Sequence, residues 1–334
     1  MRVVVTGAAG FIGRALIKKL AAGGVDVVAL VRDPSGANYL QQPRVTLVQS
    51  DLSDRAALAE AMTGADGVIH AAGSYRIGIT AAERPKMLDA NLRTTERVLD
   101  AAIATQVRRI VYVSTVAVFG NTHGQIVDET YRRDPKTKQG RFVSYYDESK
   151  YLAHLAAQER IARGAPIVIV QPAQVYGAHD HSAASQQIEL AFRGRLPYMA
   201  LPDGGIGWVH VDDLAAGIVA ALIRGRVGQA YVLSGETLRM RESIAIAARA
   251  GGHRPPRWTL PTILLKLLAP LSDRLGGITG APPNLRETIS AGDDVTYWAS
   301  AAKATKELGF SARPLERGVR EAFGGVKDTY GGST

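Results

Sequence analysis

Residues 144–151 read "SYYDESKY" and bring together a tyrosine and a lysine whose spacing suits proton transfer. Four positions separate Tyr146 from Lys150, so on a helix both side chains would lie on one face. A cation beside a phenol stabilises the phenolate and lowers the pKa of the tyrosine from its ordinary value of about 10. Such a tyrosine could act as a general acid or base near neutral pH.

The adjacent Tyr145 is the alternative, but Ser149 rather than a lysine follows it four positions later. On a helix, Tyr145 would point about 100° away from Tyr146. We therefore expect Tyr145 to pack against other residues or to line a pocket. A tyrosine and a lysine at this spacing can also occur by chance, so the surrounding elements must decide.

Those elements alternate through the first half of the chain. Short Val- and Ile-rich runs are separated by Ala- and Leu-rich stretches with helical spacing. Continuous apolar runs bounded by Gly or Asp are typical of parallel strands buried on both faces. The alternation predicts an α/β fold, a Rossmann-type doubly wound parallel sheet. Ser53 or Asp54 is the expected N-cap of the second helix.

The composition changes after residue 172, where Pro and Gly become more frequent and helical patterns outnumber strand patterns. We therefore predict an NAD(P)-binding domain over 1–172, to which 208–232 returns. A smaller, mainly helical substrate-binding lobe is predicted over 173–207 and 233–330.

A glycine-rich turn, "VVVTGAAGFIG" (3–13), stands between the first strand and the first helix. Gly7 suits a tight turn, Gly10 lets the backbone approach a pyrophosphate, and Gly13 allows close packing of helix on strand. The N–H groups and dipole of the helix N-terminus favour a phosphate. The motif predicts a dinucleotide site; a turn without a ligand is the alternative.

The end of the second strand indicates which dinucleotide would bind. Val31 cannot hold a ribose diol, whereas Arg32 can form charge-assisted hydrogen bonds to a 2′-phosphate. An acid at this place would instead accept a bond from a free 2′-hydroxyl, and a one-residue shift would put Asp33 there. We expect NADP (NADPH), with NAD as the alternative; Arg32 could also be an ordinary solvated loop cation.

The order of "TGAAGFIG", "VYVSTVAVFG" (111–120) and Tyr146-x-x-x-Lys150 resembles that of the extended short-chain dehydrogenase/reductase (NAD-dependent epimerase/dehydratase) superfamily. The resemblance covers nearly the whole chain. It implies a catalytic triad in which Thr115, or Ser114 as the alternative, holds the substrate oxygen against Tyr146. Lys150 would lower the pKa of the tyrosine and bond the nicotinamide ribose.

The same resemblance implies further cofactor contacts. Asn91 matches a family asparagine on the fourth helix, where either a proton-relay role or bonding to backbone is open. Gln171 replaces the usual arginine of the segment "QPAQVYG" (171–177). The full set of implied cofactor contacts is Gly7, Ala9, Gly10, Phe11, Ile12, Gly13, Arg32, Asp51, Leu52, Ala71, Ala72, Gly73, Asn91, Lys150, Pro172 and Val175.

The C-terminal "DDVTYWASAAKATKELGFSARPLERGVREAF" resembles the dihydroflavonol-reductase-like and hydroxysteroid-dehydrogenase-like branch. This implies an oxidoreductase that interconverts a ketone or aldehyde and an alcohol. The apolar and aromatic residues of the second lobe favour a hydrophobic substrate, although they could equally form core. These residues are Tyr198, Met199, Leu201, Trp208 and Trp258.

Two alternatives stay open. A nucleotide-sugar epimerase could use Arg286 and Arg313 for a diphosphate, whereas a sugar dehydratase lacks its acid pair because Val116 and Ala117 follow Thr115. A non-catalytic NADP-binding regulator is the second, but such proteins typically lose the tyrosine and the lysine.

Charge and composition narrow the partners. The net charge is +9, but the basic residues are scattered without interleaved aromatics, so no nucleic-acid partner is expected. The absence of cysteine excludes disulfides and thiolate metal sites and fits a reducing, cytoplasmic location.

No signal peptide is expected, because the first ten residues, "MRVVVTGAAG", run directly into a strand pattern. No membrane partner is expected, since the apolar stretch 259–271 is too short to span a bilayer and carries Lys266. His179 and His181 flank Asp180, yet no metal is expected there. The resemblance implies a homodimer. Nothing in the sequence identifies the physiological substrate or the direction of the reaction.

Overall fold

The computed structural model describes residues 1–267, 269–270 and 283–325. Short strands alternate with helices through its first half. The strands are β1 (Arg2–Thr6), β2 (Asp26–Val31), β3 (Val45–Gln49), β4 (Gly67–His70), β5 (Arg109–Val113), β6 (Ile167–Pro172), β7 (Gln174–Tyr176), β8 (Gly205–His210), β9 (Ala230–Leu233), β10 (Thr237–Arg239) and β11 (Thr296–Tyr297).

The α-helices are α1 (Phe11–Ala22), α2 (Arg55–Met62), α3 (Arg84–Leu88), α4 (Thr94–Ala104), α5 (Tyr145–Ala162), α6 (Ala183–Phe192), α7 (Val211–Arg224), α8 (Met240–Ala250), α9 (Leu285–Gly292), α10 (Ala302–Leu308) and α11 (Leu315–Phe323). Residues 262–267 are also helical. Short 3-10 turns lie at Ser35–Leu40, Ala81–Glu83 and Val116–Phe119, and a π-helical turn at Asp89–Arg93.

A seven-stranded sheet in the order β3-β2-β1-β4-β5-β6-β9 forms the centre of the molecule. Its neighbouring strands are all parallel. Val3 and Val5 of β1 pack into the core beside α1 and α7, whereas Val4 packs into the opposite core beside α2, α4 and α5. Burial on both faces explains the continuous apolar runs of the sequence. The predicted Rossmann-type fold is confirmed.

The strand order reverses between β1 and β4, because β1 lies next to both β2 and β4. In doubly wound sheets such a reversal opens a crevice at the carboxyl ends of the strands, and ligands bind there. The turn after β1 and the segment after β4 both leave the sheet at this edge.

A second, smaller sheet contains β10, β8 and β11, and β7 also pairs with β8. Helices α6, α8 and α11 pack against it around Trp208, Ile244 and Val319. Helix α7 and strand β9 instead belong to the main sheet and its core. Of the predicted substrate-binding lobe, residues 268, 271–282 and 326–330 lie outside the described residues. Within the described part of the chain, no helix is both long enough and apolar enough to cross a membrane.

Candidate active site

The glycine turn after β1 is tightly packed. Gly7 has a φ of +72°, and a Cβ added to it would lie 2.7 Å from the backbone nitrogen of Ala72. A Cβ on Gly13 would lie 2.1 Å from the carbonyl oxygen of Gly7. Only glycine therefore lets the turn, helix α1 and the segment after β4 approach one another this closely.

Helix α1 begins without a capping side chain. Gly10 is its N-cap, and no side chain bonds the first turn, which also carries no acid. By contrast, Asp54 caps α2 and Ser144 caps α5 through side-chain hydrogen bonds. The first N–H groups of α1 therefore remain available to an anion, as the pyrophosphate of a dinucleotide requires. The turn fits such a cofactor.

The residues after β2 differ in how they are held. Asp33 accepts hydrogen bonds from the N–H of Ser35 at 2.9 Å and from its hydroxyl at 2.6 Å. These bonds, led by that of the hydroxyl, lower the pKa of Asp33. The exposed guanidinium of Arg32 forms no ion pair or hydrogen bond with any residue that the structure describes. Asp33 is thus engaged in its own turn, whereas Arg32 is free to meet a ligand.

Further predicted cofactor contacts lie after strands β3 and β4. Asp51 follows β3 and accepts from the N–H and hydroxyl of Ser53, both at 2.8 Å. Leu52 has a φ of +62°. Gly73 follows β4, and a Cβ added to it would lie 3.0 Å from Oδ1 of Asn91. The segment after β4 therefore connects the glycine turn with the residues around α5.

Helix α5 starts one residue before the predicted acid. The hydroxyl of Ser144 accepts a hydrogen bond from the N–H of Asp147 at 3.0 Å and so fixes the first turn. Burial raises the pKa of the Tyr146 phenol well above its ordinary value, and the neighbouring Thr115 side chain offsets part of the rise. The predicted lowering by Lys150 is not seen, because loss of hydration disfavours the phenolate.

Lys150 is buried and donates from Nζ to the carbonyl oxygen of Val113 at 3.1 Å. Burial lowers the pKa of its ammonium to about 8. Val113 is the last residue of β5, so the lysine reaches the strand end from which Ser114 and Thr115 follow.

The two candidate hydroxyls after β5 have different partners. Ser114 is buried, and its Oγ lies 3.0 Å from Nδ1 of His154. Thr115 caps the short 3-10 turn, and its side chain is close enough to the Tyr146 phenol to lower its pKa. The geometry therefore favours Thr115 as the hydroxyl beside the acid. Sequence reasoning missed His154, although it follows Lys150 by four positions; burial lowers its pKa to about 4.

Asn91 lies in the π-helical turn and is fully buried. Its Oδ1 accepts from the N–H of Ser74 at 2.7 Å, and its Nδ2 donates to the carbonyl of Ser74 at 3.0 Å. The same nitrogen donates to the hydroxyl of Ser149 at 2.9 Å. Of the two roles left open, backbone bonding is the one the structure displays: Asn91 joins the segment after β4 to α5.

An aromatic ring packs against Tyr146. The ring of Tyr75, which sequence reasoning did not assign to the site, packs edge-on at 4.8 Å between centroids. The hydroxyl of Tyr297 donates to the carbonyl oxygen of Ala291 at 3.2 Å, and burial raises the pKa of that hydroxyl. Tyr145 faces elsewhere, with its ring 5.5 Å from the guanidinium carbon of Arg84.

A buried ion pair holds Asp147, the residue that follows Tyr146. Asp147 pairs with Arg133 through two hydrogen bonds of 2.5 and 2.8 Å, and both side chains are at most 2% exposed. Arg133 also donates to the carbonyls of Gly140 and Arg141. Burial raises the pKa of the Asp147 carboxyl, and Arg133 offsets part of that rise. The loop before α5 is thereby tied to its first turn.

Glu287 of α9 connects the C-terminal part of the chain to the site. Its carboxylate accepts from the N–H of Tyr145 at 2.6 Å and from that of Gly78 at 2.8 Å. Burial raises its pKa, and these backbone bonds counteract the rise. A carboxylate at the N-terminus of α5 is also favoured by the helix dipole. No sequence pattern pointed to this residue.

The remaining predicted residues lie at the edges of the site. Pro172 ends β6, and Val175 of β7 pairs with Val209 of β8. The side-chain nitrogen of Gln171 is buried and has no hydrogen-bond partner among the residues described. Arg313 is engaged by Asp213 at 2.6 Å and also by Glu321, so it is not free for a diphosphate.

Arg286 is exposed. The side chain of Asp180 bonds Ser182 at 2.7 Å rather than facing a metal-ligand set. Over residues 1–267, 269–270 and 283–325, no three His, Cys, Asp or Glu side chains are grouped to hold a metal.

Comparison with known proteins identifies relatives of this chain. The model of the "NAD dependent epimerase/dehydratase family" matches residues 3–234. A Stigmatella aurantiaca protein named 4-hydroxy-2-methyl-3-oxo-4-farnesyl-3,4-dihydroquinoline-1-oxide ketoreductase is 30% identical over 322 residues, covering 94% of this chain and 92% of that protein.

Solved structures share the fold over almost all of their length. The crystal structure of gox2253 is 31% identical, with a TM-score of 0.81 and 96% coverage of both chains. MoeE5 in complex with UDP-glucose and NAD is 23% identical, with a TM-score of 0.73 and coverage of 97% and 98%. At that identity the likeness to MoeE5 concerns the fold alone.

Proposed function

Because the chain belongs to the NAD-dependent epimerase/dehydratase family and is an NAD(P)-dependent oxidoreductase, we propose that it interconverts a ketone or aldehyde and an alcohol with NADP as cofactor. The observation that carries the proposal is the placement of the Thr115 side chain close enough to the Tyr146 phenol to lower its pKa, with Lys150 on the same helix. We further propose a hydrophobic substrate and a cytoplasmic location.

In this mechanism the glycine turn and Arg32 would hold the dinucleotide, which would supply the hydride. Thr115 orients the substrate oxygen, and Tyr146 donates a proton to it. Burial keeps the phenol protonated, which suits a proton donor in carbonyl reduction. The Lys150 ammonium then stabilises the phenolate that the transfer leaves behind.

The substrate class is supported by the aromatic surroundings of Tyr146. The ring of Tyr75 would form an apolar wall on which a ring-shaped carbonyl compound could pack. The Stigmatella relative is named for a farnesylated, ring-containing ketone. A nucleotide-sugar epimerase is the second candidate, and the engagement of Arg313 by Asp213 and Glu321 speaks against its use of that arginine for a diphosphate.

A panel of aromatic and alicyclic ketones tests the reaction. We expect net consumption of NADPH, followed by loss of absorbance of the reduced nicotinamide, with at least one hydrophobic ketone. An epimerase would interconvert nucleotide sugars without net consumption of cofactor. Epimerisation together with no reduction of any ketone would contradict the proposal.

Arg32 provides a test of the cofactor. Replacing Arg32 with aspartate should remove the pairing with a 2′-phosphate and weaken NADP binding by roughly tenfold or more, with NAD becoming the preferred cofactor. Isothermal titration of both dinucleotides gives the ratio of affinities. Arg108→Asp makes the same change of charge at another exposed position and should leave the ratio unaltered. Equal binding of NADP and NAD by the unaltered protein would refute the assignment.

The lowered pKa of Lys150 predicts a pH dependence. Burial favours the neutral amine, so the ammonium is present below about pH 8 and is lost as the pH rises through that value. We expect kcat/KM for reduction to fall about tenfold per pH unit above this point. In Lys150→Arg, whose guanidinium stays charged, any residual activity should lack this limb. A profile flat up to the ordinary lysine pKa of about 10.4 would show that the ammonium is not required.

A further inference from the structure

A segment between α8 and α9 combines positive charge with exposed apolar side chains. From residue 243 to residue 272 the chain contains no Asp or Glu, but it contains Arg249, Arg254, Arg257 and Lys266. An acid-free stretch of this length gives one part of the surface a local excess of positive charge.

Four large apolar side chains in this segment face solvent. Trp258 is 78% exposed, Ile263 62%, Leu264 46% and Leu267 70%. On the helix at 262–267, Leu267 comes four positions after Ile263 and three after Leu264, so its side chain neighbours both of theirs. We call Trp258, Ile263, Leu264 and Leu267 the apolar face. Single exposed apolar residues are ordinary, but such a group marks an interaction site.

The apolar face is fixed to the fold rather than loosely attached. The N–H of Met199 donates to the carbonyl of Trp258 at 2.9 Å. Thr262 and Lys266 bond the carboxylate of Asp293, at 3.2 and 2.9 Å. Lys266 is therefore neutralised by an acid, and the apolar side chains are held pointing outward.

The cations beside the apolar face are not neutralised in this way. Arg254 and Arg257 are both exposed, and neither forms an ion pair or a side-chain hydrogen bond with any residue in the described part of the chain. Both precede Trp258 in the chain, by four positions and by one position. Apolar and aromatic side chains beside free arginines match the interface of an anionic phospholipid bilayer, whose headgroups are negative and whose outer acyl region is apolar.

We propose that the apolar face, with Arg254 and Arg257, binds the surface of an anionic phospholipid membrane. Trp258 and the helix at 262–267 enter the interfacial region, and the two arginines meet the phosphates. The sequence-based expectation of no membrane partner considered only a spanning segment. A second copy of this chain is disfavoured as the occupant, because a twofold contact would bring the same unpaired arginines together.

Vesicle binding tests the proposal. The full chain should sediment with vesicles of mixed phosphatidylcholine and phosphatidylglycerol, should not sediment with vesicles of phosphatidylcholine alone, and should be released by salt. Trp258 fluorescence should shift to the blue on binding, since Trp258 is the most exposed of the three tryptophans: Trp208 is 1% exposed and Trp298 is half-buried. No binding of the unaltered chain to mixed vesicles, or equal binding to both kinds, would overturn the proposal.

Three variants separate the contributions. Arg254→Glu/Arg257→Glu should weaken binding by at least about 25-fold, from roughly fivefold for each arginine near the surface. Trp258→Ser/Leu267→Ser should abolish the fluorescence shift and the sedimentation. Ile223→Ser removes a side chain that is 59% exposed on α7 and should bind as the unaltered chain does. Thermal unfolding of each variant establishes that it is folded.

Analytical ultracentrifugation without lipid tests whether a second copy of the chain covers the apolar face. A dimer that is abolished by Trp258→Ser/Leu267→Ser would assign the face to a second copy and overturn membrane binding; an unchanged oligomeric state supports it. Vesicle binding needs neither cofactor nor substrate, so its outcome is independent of the proposed reduction.

Discussion

Tyr146→Phe is expected to lower kcat for ketone reduction about 10³-fold while changing the affinity for NADPH by no more than about twofold. Phenylalanine preserves the ring that packs against Tyr75 and removes only the hydroxyl, whose pKa the neighbouring Thr115 side chain lowers. The proton donor is then lost while the glycine turn and Arg32 are untouched. Steady-state kinetics and isothermal titration of NADPH measure the two effects separately.

Tyr145→Phe is the matched control. This neighbour contributes its backbone N–H to Glu287 and directs its ring toward Arg84, so its hydroxyl should be dispensable. We expect it to retain at least about a third of the activity. If both variants were equally active, or if Tyr145→Phe alone lost turnover, the assignment of Tyr146 as the acid would be wrong.

The largest effect on stability is expected from Arg133→Met. The substitution leaves the carboxylate of Asp147 buried without its cation, and breaking a buried pair in this way costs about 3–5 kcal/mol. The free energy of unfolding from urea titration measures the cost. Asp147 is the third residue of α5, so turnover should fall as well through displacement of Tyr146.

Two controls define the source of the loss. In Arg133→Met/Asp147→Leu no charge remains buried, and most of the lost stability should return. Arg163→Met removes an exposed partner of Glu159 and should cost at most about 0.5 kcal/mol. A cost for Arg133→Met no larger than that for Arg163→Met would show that the buried pair does not stabilise the fold.

Much of the candidate site could be predicted from the sequence because its parts are short, continuous segments. The glycine turn belongs to one strand and the helix after it, and Tyr146 and Lys150 belong to one helix. Their order along the chain predicted the sheet, the family and the enzyme class, all of which are confirmed. The catalytic and cofactor residues themselves stay predictions, which the Tyr146 and Arg32 variants test.

Residues that reach the site from elsewhere gave no such pattern. Arg133 meets Asp147 across a loop of 14 positions, and Glu287 meets Tyr145 across 142. Contacts between separate elements leave no periodic pattern in the sequence, so the hydrophobic periodicity that predicted the helices and strands could not predict these two contacts. The direction of the Tyr146 pKa was also missed, because burial depends on the surrounding fold rather than on the neighbouring lysine alone.

The contacts of Glu287 limit how freely the C-terminal half of the chain could be exchanged for that of a relative. Its carboxylate is the acceptor both for the first N–H of the helix that carries Tyr146 and for the loop at Gly78. Helix α9 belongs to the C-terminal part of the chain, yet it also holds the start of the helix that carries Tyr146. A C-terminal half transplanted from a relative to change substrate preference would have to bring its own acceptor for the amide of Tyr145. The part of the enzyme that would select the substrate is thus not an interchangeable cassette.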